Sequence, residues 1–283
     1  ALGQLKLENL RPMHIKSYFR HKKKNGRADG KKGGLSQKTL LQHYRVLSKA
    51  LKEAVKMELL KRNPAKAVSS PKPKKKEIQA MDKKQINKLL KIAADENIWI
   101  YRFIYLAAFT GMRRGELLGL RWKDVDLKEK KLHIRNTLVV YNNSSIYKEP
   151  KTSSGIRPIV ISDKIVSILK NIRKEQAERK LYLGPDYLDE VNLVFCKDNG
   201  GKLYPDTVSK KFKKIAKKAN LDQFHLHSLR HTHATLLLQA DVHPKIVQER
   251  LGHSKITQTL DTYSHIIPSM QQKAVDKLEK IFN

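Results

Sequence analysis

The sequence predicts a mainly α-helical protein with two domains and one small antiparallel β-sheet in the second domain. Apolar residues recur at three- and four-residue steps over most of the chain, which is the period of an amphipathic helix. The stretch 131–140 is instead rich in alternating β-branched side chains, which is typical of a strand. A length of 283 residues with 40% hydrophobic residues suits two domains that each bury a core.

The first domain, residues 1–68, contains two predicted helices. One covers about 12–24 and has a proline in its first turn, where proline is favoured. The second follows a glycine-rich turn, with Ser36 as its N-cap, and its apolar stripe continues to about Leu60. The dipeptide Asn63-Pro64 is expected to stop it.

We interpret residues 69–77 as a linker, because they contain two prolines, four lysines and almost nothing apolar. The second domain is then 78–283. Its strand at 131–140 should turn at Asn142-Asn143 and return at 157–161. Helical periodicity predicts helices near 86–92, 98–109, 163–181, 205–219, 228–240, 243–251 and 268–281.

The charge balance predicts a polyanionic partner. Lys and Arg number 59 against 27 acidic residues, a formal net charge of +32. Side chains that neutralise phosphates release condensed counterions, and this release drives binding to such a partner. A chain that is basic only for solubility is the alternative. No segment has the roughly 20 apolar residues of a membrane-spanning helix, so no membrane partner is expected.

Much of this charge lies near the N-terminus. Residues 1–70 hold 18 Lys/Arg and 4 Asp/Glu, a net +14 (18 minus 4) of the total +32. The polar face of the second helix and the linker are expected to follow a DNA backbone, with a solvated surface as the alternative; the linker lysines could also form a nuclear address. The candidate contacts are Lys38, Arg45, Lys49, Lys74, Lys75 and Lys76.

The single cysteine, Cys196, excludes an internal disulfide framework and fits a reducing cytosol. We recognise no signal peptide, so a cytoplasmic protein is expected. The chain starts Ala-Leu-Gly-Gln without an initiator methionine, which suggests a fragment of something longer.

The strongest functional signal is a scattered set of cationic and imidazole side chains that ends in one tyrosine. Two arginines, a lysine and two histidines are suited to hold a phosphodiester while charge builds on it, and a tyrosine can attack the phosphorus without a metal. The set is Arg113, Lys151, His227, Arg230, His253 and Tyr263.

Plainer alternatives exist for several of these residues. Glu116 is expected to hold Arg113 in place, or only to start a helix, since acids suit helix N-termini. Lys151 lies in a predicted hairpin tip, where Lys148 competes with it. A histidine after a glycine, such as His253, is normally an exposed side chain.

A metal site is not expected, although four histidines lie close together in sequence. No nearby cysteine or carboxylate completes a convincing set, and His-x-His on a helix splays the two rings apart. The four are His225, His227, His231 and His233.

Three motifs resemble, in order and spacing, those of the tyrosine recombinase or phage integrase family. They are Thr-Gly-Met-Arg-Arg-Gly-Glu-Leu at 110–117, His-Ser-Leu-Arg-His-Thr at 227–232, and Leu-Gly-His followed by Tyr-Ser-His at 251–265. Within the family the chain is similar to integrases of conjugative transposons and phages of Gram-positive bacteria. The resemblance implies a helical, SAM-like core-binding domain and a catalytic domain, which together form a C-shaped DNA clamp.

The resemblance also implies a role for each residue. Tyr263 would attack the scissile phosphate and form a 3′-phosphotyrosine with a free 5′-hydroxyl. Arg113 and Arg230 would hold the non-bridging oxygens, and His253 would add a hydrogen bond. Lys151 would protonate the leaving oxygen. Because the phosphotyrosine bond keeps the energy, neither ATP nor a metal or other cofactor is expected.

The implied assembly is a homotetramer on two DNA duplexes that exchanges strands through a Holliday junction. His227 would act in proton transfer at the tyrosine. The C-terminal helix, 268–281, would pack on the neighbouring protomer or alternatively in cis, and accessory DNA-bending proteins are further candidate partners. The expected function is integration and excision of a mobile element. A Xer-like resolvase, a type IB topoisomerase and a non-cleaving DNA-binding protein are the alternatives.

Overall fold

The structure, a computed structural model, divides into two compact units, Ala1–Glu77 and Ile78–Asn283. It describes residues 2–74, 79–141, 144–149 and 153–263, together with 275, 276, 278, 279, 281 and 282. Most of these residues are helical, as predicted. No described helix is long and apolar enough to cross a bilayer.

The first unit is built on two helices, α1 (Pro12–Asn25) and α2 (Gln37–Lys56). The Ser36 hydroxyl accepts a hydrogen bond from the Thr39 backbone N–H at 3.1 Å, which confirms the predicted N-cap. The core of the unit is small and centres on Ile15, Leu51 and Ala65, all at most 3% exposed.

Helix α2 ends at Lys56, so the prediction that it continues to about Leu60 was wrong. Glu58 adopts a left-handed conformation with φ of 60°, and the Leu59 N–H donates to the Ala54 carbonyl oxygen at 2.9 Å. This closure satisfies carbonyl groups that the last turn leaves free. The helix therefore stops before the proline that was expected to stop it.

The polar side of α2 carries exposed positive charge, which we call the basic face of α2. Lys74, in the segment after the first unit's helices, is exposed as well, whereas Lys75 and Lys76 lie outside the described residues. The basic face of α2 comprises Lys38, Arg45 and Lys49, all exposed.

The second unit contains eight α-helices whose bounds are described, and the described residues 275, 276, 278, 279, 281 and 282 are helical as well. The eight are α3 (Lys83–Glu96), α4 (Ile98–Thr110), α5 (Arg114–Leu118), α6 (Asp163–Leu183), α7 (Pro205–Lys218), α8 (Ser228–Gln239), α9 (Pro244–Leu251) and α10 (Ile256–Tyr263). Six of them, α3, α4, α6, α7, α8 and α9, correspond to helices that the periodicity predicted.

The β-structure differs from the single predicted sheet. The stretch 131–140 breaks after Ile134, and its two halves join different sheets: β1-β2-β5 is a three-stranded antiparallel sheet and β3-β4 a separate hairpin. Asn142 and Asn143, the predicted turn, lie outside the described residues. The strands are β1 (Val125–Asp126), β2 (Lys131–Ile134), β3 (Thr137–Tyr141), β4 (Ser144–Lys148) and β5 (Arg157–Val160).

The described residues of the second unit form two separate buried apolar clusters. The larger one, the main core, extends from α3 and α4 through the sheet to α6 and α7. The smaller one lies between α8, α9 and α10, and we call it the tyrosine cluster because it contains Tyr263. Its buried members are Ala234, Leu238, Val247, Leu251 and Tyr263.

Candidate active site

A glycine turn at the end of α4 positions the first candidate arginine. Gly111 has φ of +66°, and a Cβ there would lie 2.6 Å from Cδ2 of His233. Only glycine fits both the left-handed backbone and this close approach. Two residues later Arg113 is the N-cap of α5, and its side chain stays 41% exposed. The turn therefore delivers a partly solvent-accessible guanidinium from a rigid helix end.

Glu116 holds two arginines at once. It accepts from the Arg113 backbone N–H at 2.8 Å and from Arg113 Nη1 at 2.7 Å. It also accepts from Arg157 Nη1 at 3.2 Å and Nη2 at 3.0 Å. Burial by itself would raise the pKa of Glu116, but the hydrogen bonds and charges of Arg157 and Arg113 lower it below its usual value. The carboxylate is thus ionised and fixes the Arg113 side chain.

Arg157 connects Glu116 to the end of α9. It is 7% exposed, and its Nε donates to the Arg250 carbonyl oxygen at 2.7 Å, at the end of α9. Strand β5 thereby ties Glu116 to the turn that follows α9. Arg157 was not among the candidate site residues selected from the sequence.

Arg230 is a buried cation on α8. It is 4% exposed, and it donates to the carbonyl oxygens of Gly111 at 2.8 Å and Leu251 at 2.6 Å. Burial, followed by the charge of Arg113, lowers the pKa of Arg230 to about 9, so it remains charged at neutral pH. Its hydrogen bonds to the described residues go to neutral carbonyl groups only.

His253 is buried, contrary to the exposed side chain that its position after Gly252 suggested. Gly252 has φ of 65° and ends α9, and His253 is 8% exposed. Its Nδ1 lies 2.9 Å from Oγ1 of Thr259 on α10. Burial, followed by the charge of Arg230, lowers the pKa of His253 to about 3. The ring is therefore neutral, and a proton on Nε2 could be donated to an anion.

Tyr263, the last residue of α10, is 1% exposed and packs within the tyrosine cluster. Its hydroxyl lies 2.9 Å from Nδ1 of His231. Burial raises the pKa of Tyr263 to about 12, and the charge of Arg230 opposes this. A phenol with such a pKa stays protonated at neutral pH unless a neighbouring group takes its proton.

His227 precedes α8, and its ring packs against that of His231. The two imidazole rings are T-shaped, with centroids 4.7 Å apart. The His227 side chain keeps an exposed edge. Burial of the rest, followed by the charge of Arg230, lowers the pKa of His227 to about 4.

The described site carries excess positive charge. Arg113, Arg157 and Arg230 contribute three positive charges and Glu116 one negative charge, a net of +2 (3 minus 1). Buried charge is costly unless it is paired, so this arrangement favours an anion. The guanidinium groups offer the planar, paired donors that phosphate oxygens accept.

The structure thus brings five of the six selected residues into one region of the second unit. Lys151, the sixth, lies outside the described residues. Sequence reasoning missed Arg157, which binds Glu116, His231, which contacts Tyr263, and Thr259, which contacts His253. The position of His231 next to Arg230 in a histidine-rich helix was the available signal, but its contact with Tyr263 could not be predicted from the sequence.

Known proteins resemble this chain over most of its length. The phage integrase family matches residues 79–269, and a phage integrase SAM-like domain matches residues 3–76. A XerC-like tyrosine recombinase of Caldanaerobacter subterraneus is 33% identical over 267 residues, which cover 88% of this chain and 68% of that protein. The ICEBs1 integrase of Bacillus subtilis is 29% identical, over 88% of this chain and 67% of its own. The chain therefore spans about two thirds of the length of these two relatives.

Solved structures show the same fold. The Tn1549 transposon integrase in complex with a circular intermediate DNA superimposes with a TM-score of 0.78 at 25% identity, over 99% of this chain and 88% of that one. The family match covers both units and includes the arginine, histidine and tyrosine positions described above. The chain belongs to the phage integrase family of tyrosine recombinases.

Proposed function

We propose that this chain is a site-specific DNA recombinase that integrates and excises a mobile element. The observation that carries the proposal is the buried tyrosine hydroxyl of Tyr263 in the same site as a net positive charge of +2 from three arginines and one glutamate. This arrangement suits a phosphodiester and a nucleophile that acts without a metal. The relatives named as integrases of a mobile element, ICEBs1 and Tn1549, support the biological role.

In the proposed reaction the Tyr263 oxygen attacks the scissile phosphorus. The bond from phosphorus to the 5′ oxygen breaks, which leaves a 3′-phosphotyrosine and a free 5′-hydroxyl. Arg113 and Arg230 hold the non-bridging oxygens. Arg113 is partly exposed, and Arg230 is a buried cation whose hydrogen bonds within the described residues all go to neutral carbonyl groups. With Nδ1 engaged by Thr259, His253 donates from its other ring nitrogen.

Two further roles follow from the family resemblance. Lys151 protonates the leaving 5′ oxygen, and His227 takes part in proton transfer at the tyrosine. Glu116 acts indirectly, since it orients Arg113. No cofactor enters this scheme, because the covalent bond to Tyr263 conserves the energy of the broken phosphodiester.

DNA binding by the first unit extends the proposal. The exposed basic face of α2, Lys74, and the lysines Lys75 and Lys76 would contact backbone phosphates. Such contacts position a protein on the duplex without reading its sequence. In this proposal the DNA-binding domain is 1–68, the linker 69–77 and the catalytic domain 78–283, and the protein acts in the bacterial cytoplasm.

Strand exchange would require a homotetramer on two duplexes, a Holliday junction and, in some settings, accessory DNA-bending proteins. The end of the chain supports packing between protomers. Leu278 is 55% exposed and Ile281 is 76% exposed. Both residues lie in the helix predicted at 268–281, and their apolar side chains can pack on a neighbouring protomer.

A covalent trap tests the proposal. The protein is mixed with a nicked duplex from an element end, so that the short 5′-hydroxyl fragment diffuses away, and the products are separated on a denaturing gel. A shifted band formed in the presence of a chelator and lost in Tyr263→Phe, which should bind the duplex as tightly as the wild type, is the expected result. A Phe variant that still forms the adduct, or a wild type that binds without forming one, would contradict the assignment.

A Xer-like resolvase is the second candidate, favoured by the XerC-like relative at 33% identity. It shares the chemistry but acts on a chromosomal or plasmid resolution site. Adduct formation on that duplex, and none on the element end, would favour this candidate.

A further inference from the structure

The hydroxyl of Tyr263 is held by one group within the described residues. Nδ1 of His231, on α8, lies 2.9 Å from it across 32 residues of sequence. The tyrosine is 1% exposed, so bulk water has little access to the hydroxyl. The two rings meet at 61° with centroids 6.0 Å apart, which places the imidazole edge toward the phenol oxygen.

The His231 ring is neutral in the free protein. Burial, followed by the charges of His227 and Arg230, lowers its pKa to about 4, and His225 adds a smaller effect. Among the described residues, these groups, Tyr263 and His253 are the titratable or charged side chains that interact with it. A neutral imidazole has one nitrogen with a free lone pair. With the proton on Nε2, Nδ1 accepts the hydrogen bond of the phenol; this tautomer is assigned from the geometry.

We propose that His231 is a catalytic base of the reaction: its Nδ1 takes the phenolic proton as Tyr263 attacks the phosphorus. This inference rests on the proposed function. The bond between the phenol oxygen and its hydrogen breaks, and the proton moves to Nδ1. The oxygen–phosphorus bond forms while the bond to the 5′ oxygen breaks, and that oxygen receives its proton from a separate acid. In rejoining, the leaving phenolate takes its proton back from His231.

His227 supports this base rather than contacting the tyrosine itself. Its ring packs against His231 with centroids 4.7 Å apart, and no hydrogen bond joins it to the tyrosine hydroxyl in the described part of the chain. Its participation in proton transfer would therefore pass through His231. The imidazolium formed during attack gains a neighbouring anion when Arg230 holds the scissile phosphate.

The test compares His231→Ala, His231→Gln and a matched control, His225→Ala, whose ring bonds Ser228 at 3.0 Å instead of the tyrosine. Each protein, in excess over a nicked duplex, is assayed for the rate of a single round of adduct formation and for DNA affinity. Loss of a positioned base should slow the reaction by about 10²-fold or more at neutral pH. DNA affinity should stay at the wild-type level, which also verifies folding.

The pH profile separates a base from a purely structural contact. The wild type should be nearly independent of pH between about pH 6 and pH 9, because a base with a pKa of about 4 is already unprotonated there. Without the base, hydroxide must ionise the tyrosine, so the rates of both His231 variants should rise about tenfold per pH unit. His225→Ala should keep the flat profile.

Three results would overturn the inference. His231→Gln, which retains a hydrogen-bond acceptor, could restore the wild-type rate and profile, so that positioning alone would suffice. His227→Ala could acquire the steep pH slope while His231→Ala stays flat. A wild type that binds the duplex but forms no adduct would remove the proposed function and this step together, and that outcome is visible before any variant is compared.

Discussion

Replacing His233 with asparagine should make the second unit less sensitive to acid. His233 lies on α8 with 6% exposure; its Nδ1 is 3.0 Å from the Ala108 carbonyl oxygen, and its Nε2 is buried without a partner in the described part of the chain. Burial, followed by the charge of Arg250, lowers the pKa of His233 to about 3. Asparagine keeps an N–H donor near Ala108 and does not titrate.

The magnitude follows from the two pKa values. The unfolded chain binds a proton at this residue below about pH 6.5, whereas the folded state resists protonation down to about pH 3. Because the folded pKa is the lower one, stability is lost as the pH falls through this window. Between about pH 8 and pH 5 the wild type should lose about 2 kcal/mol through this group alone, and the variant none of it.

Urea unfolding followed by tryptophan fluorescence measures this loss. Both tryptophans, Trp99 and Trp122, belong to the main core of the second unit, so the signal reports on that unit. The variant leaves a small void and should be less stable at the higher pH, by about 1–3 kcal/mol. His133→Asn, at a half-buried strand histidine, is the matched control for replacing a histidine with asparagine. An equal loss of free energy in the wild type and in His233→Asn would refute the reasoning.

Three further predictions follow from the site and its surroundings. Glu116→Gln leaves Arg157 buried without a carboxylate and should lower the free energy of unfolding by about 3–5 kcal/mol; a urea midpoint equal to that of the wild type would contradict the network. Thr259→Val removes the hydrogen bond to His253 and should slow adduct formation about tenfold, equivalent to about 1.4 kcal/mol, with unchanged DNA affinity; a wild-type rate would show that His253 needs no such support. Alanine at all positions of the basic face of α2 should reduce the slope of log affinity against log salt by about 0.9 for each phosphate that is no longer neutralised; parallel salt curves would mean that this face does not touch DNA.

Most of the helices could be predicted because their apolar stripes are strong, but α10 was not predicted. Only Ile256 and Leu260 interrupt its polar and threonine-rich sequence with aliphatic side chains. Short helices of this kind depend on tertiary packing more than on propensity. The break between β2 and β3 was also missed. The alternation of side chains is the same whether the chain continues in one sheet or passes into another, so the pattern does not mark the break.

For the candidate site, residue types were predictable and their neighbours were not. Arg113, Arg230 and Tyr263 stand in motifs whose order is informative. The pairing of Glu116 with Arg157 joins residues 41 positions apart, and it depends on the register of β5. His253 was expected to be exposed after its glycine, but packing of α10 against α9 covers it.

The separation of the tyrosine cluster from the main core bears on when the protein can cut. Helix α10 contributes one member to that cluster, Tyr263, and none to the main core. Opening of this helix therefore leaves the framework of the unit folded, and elements that share few apolar contacts open at lower free energy than a core. A molecule that binds α10 would therefore control whether the Tyr263 hydroxyl is accessible to a phosphodiester. Cleavage can thus be timed by local opening, and amide hydrogens of α10 should exchange with solvent sooner than those of α4.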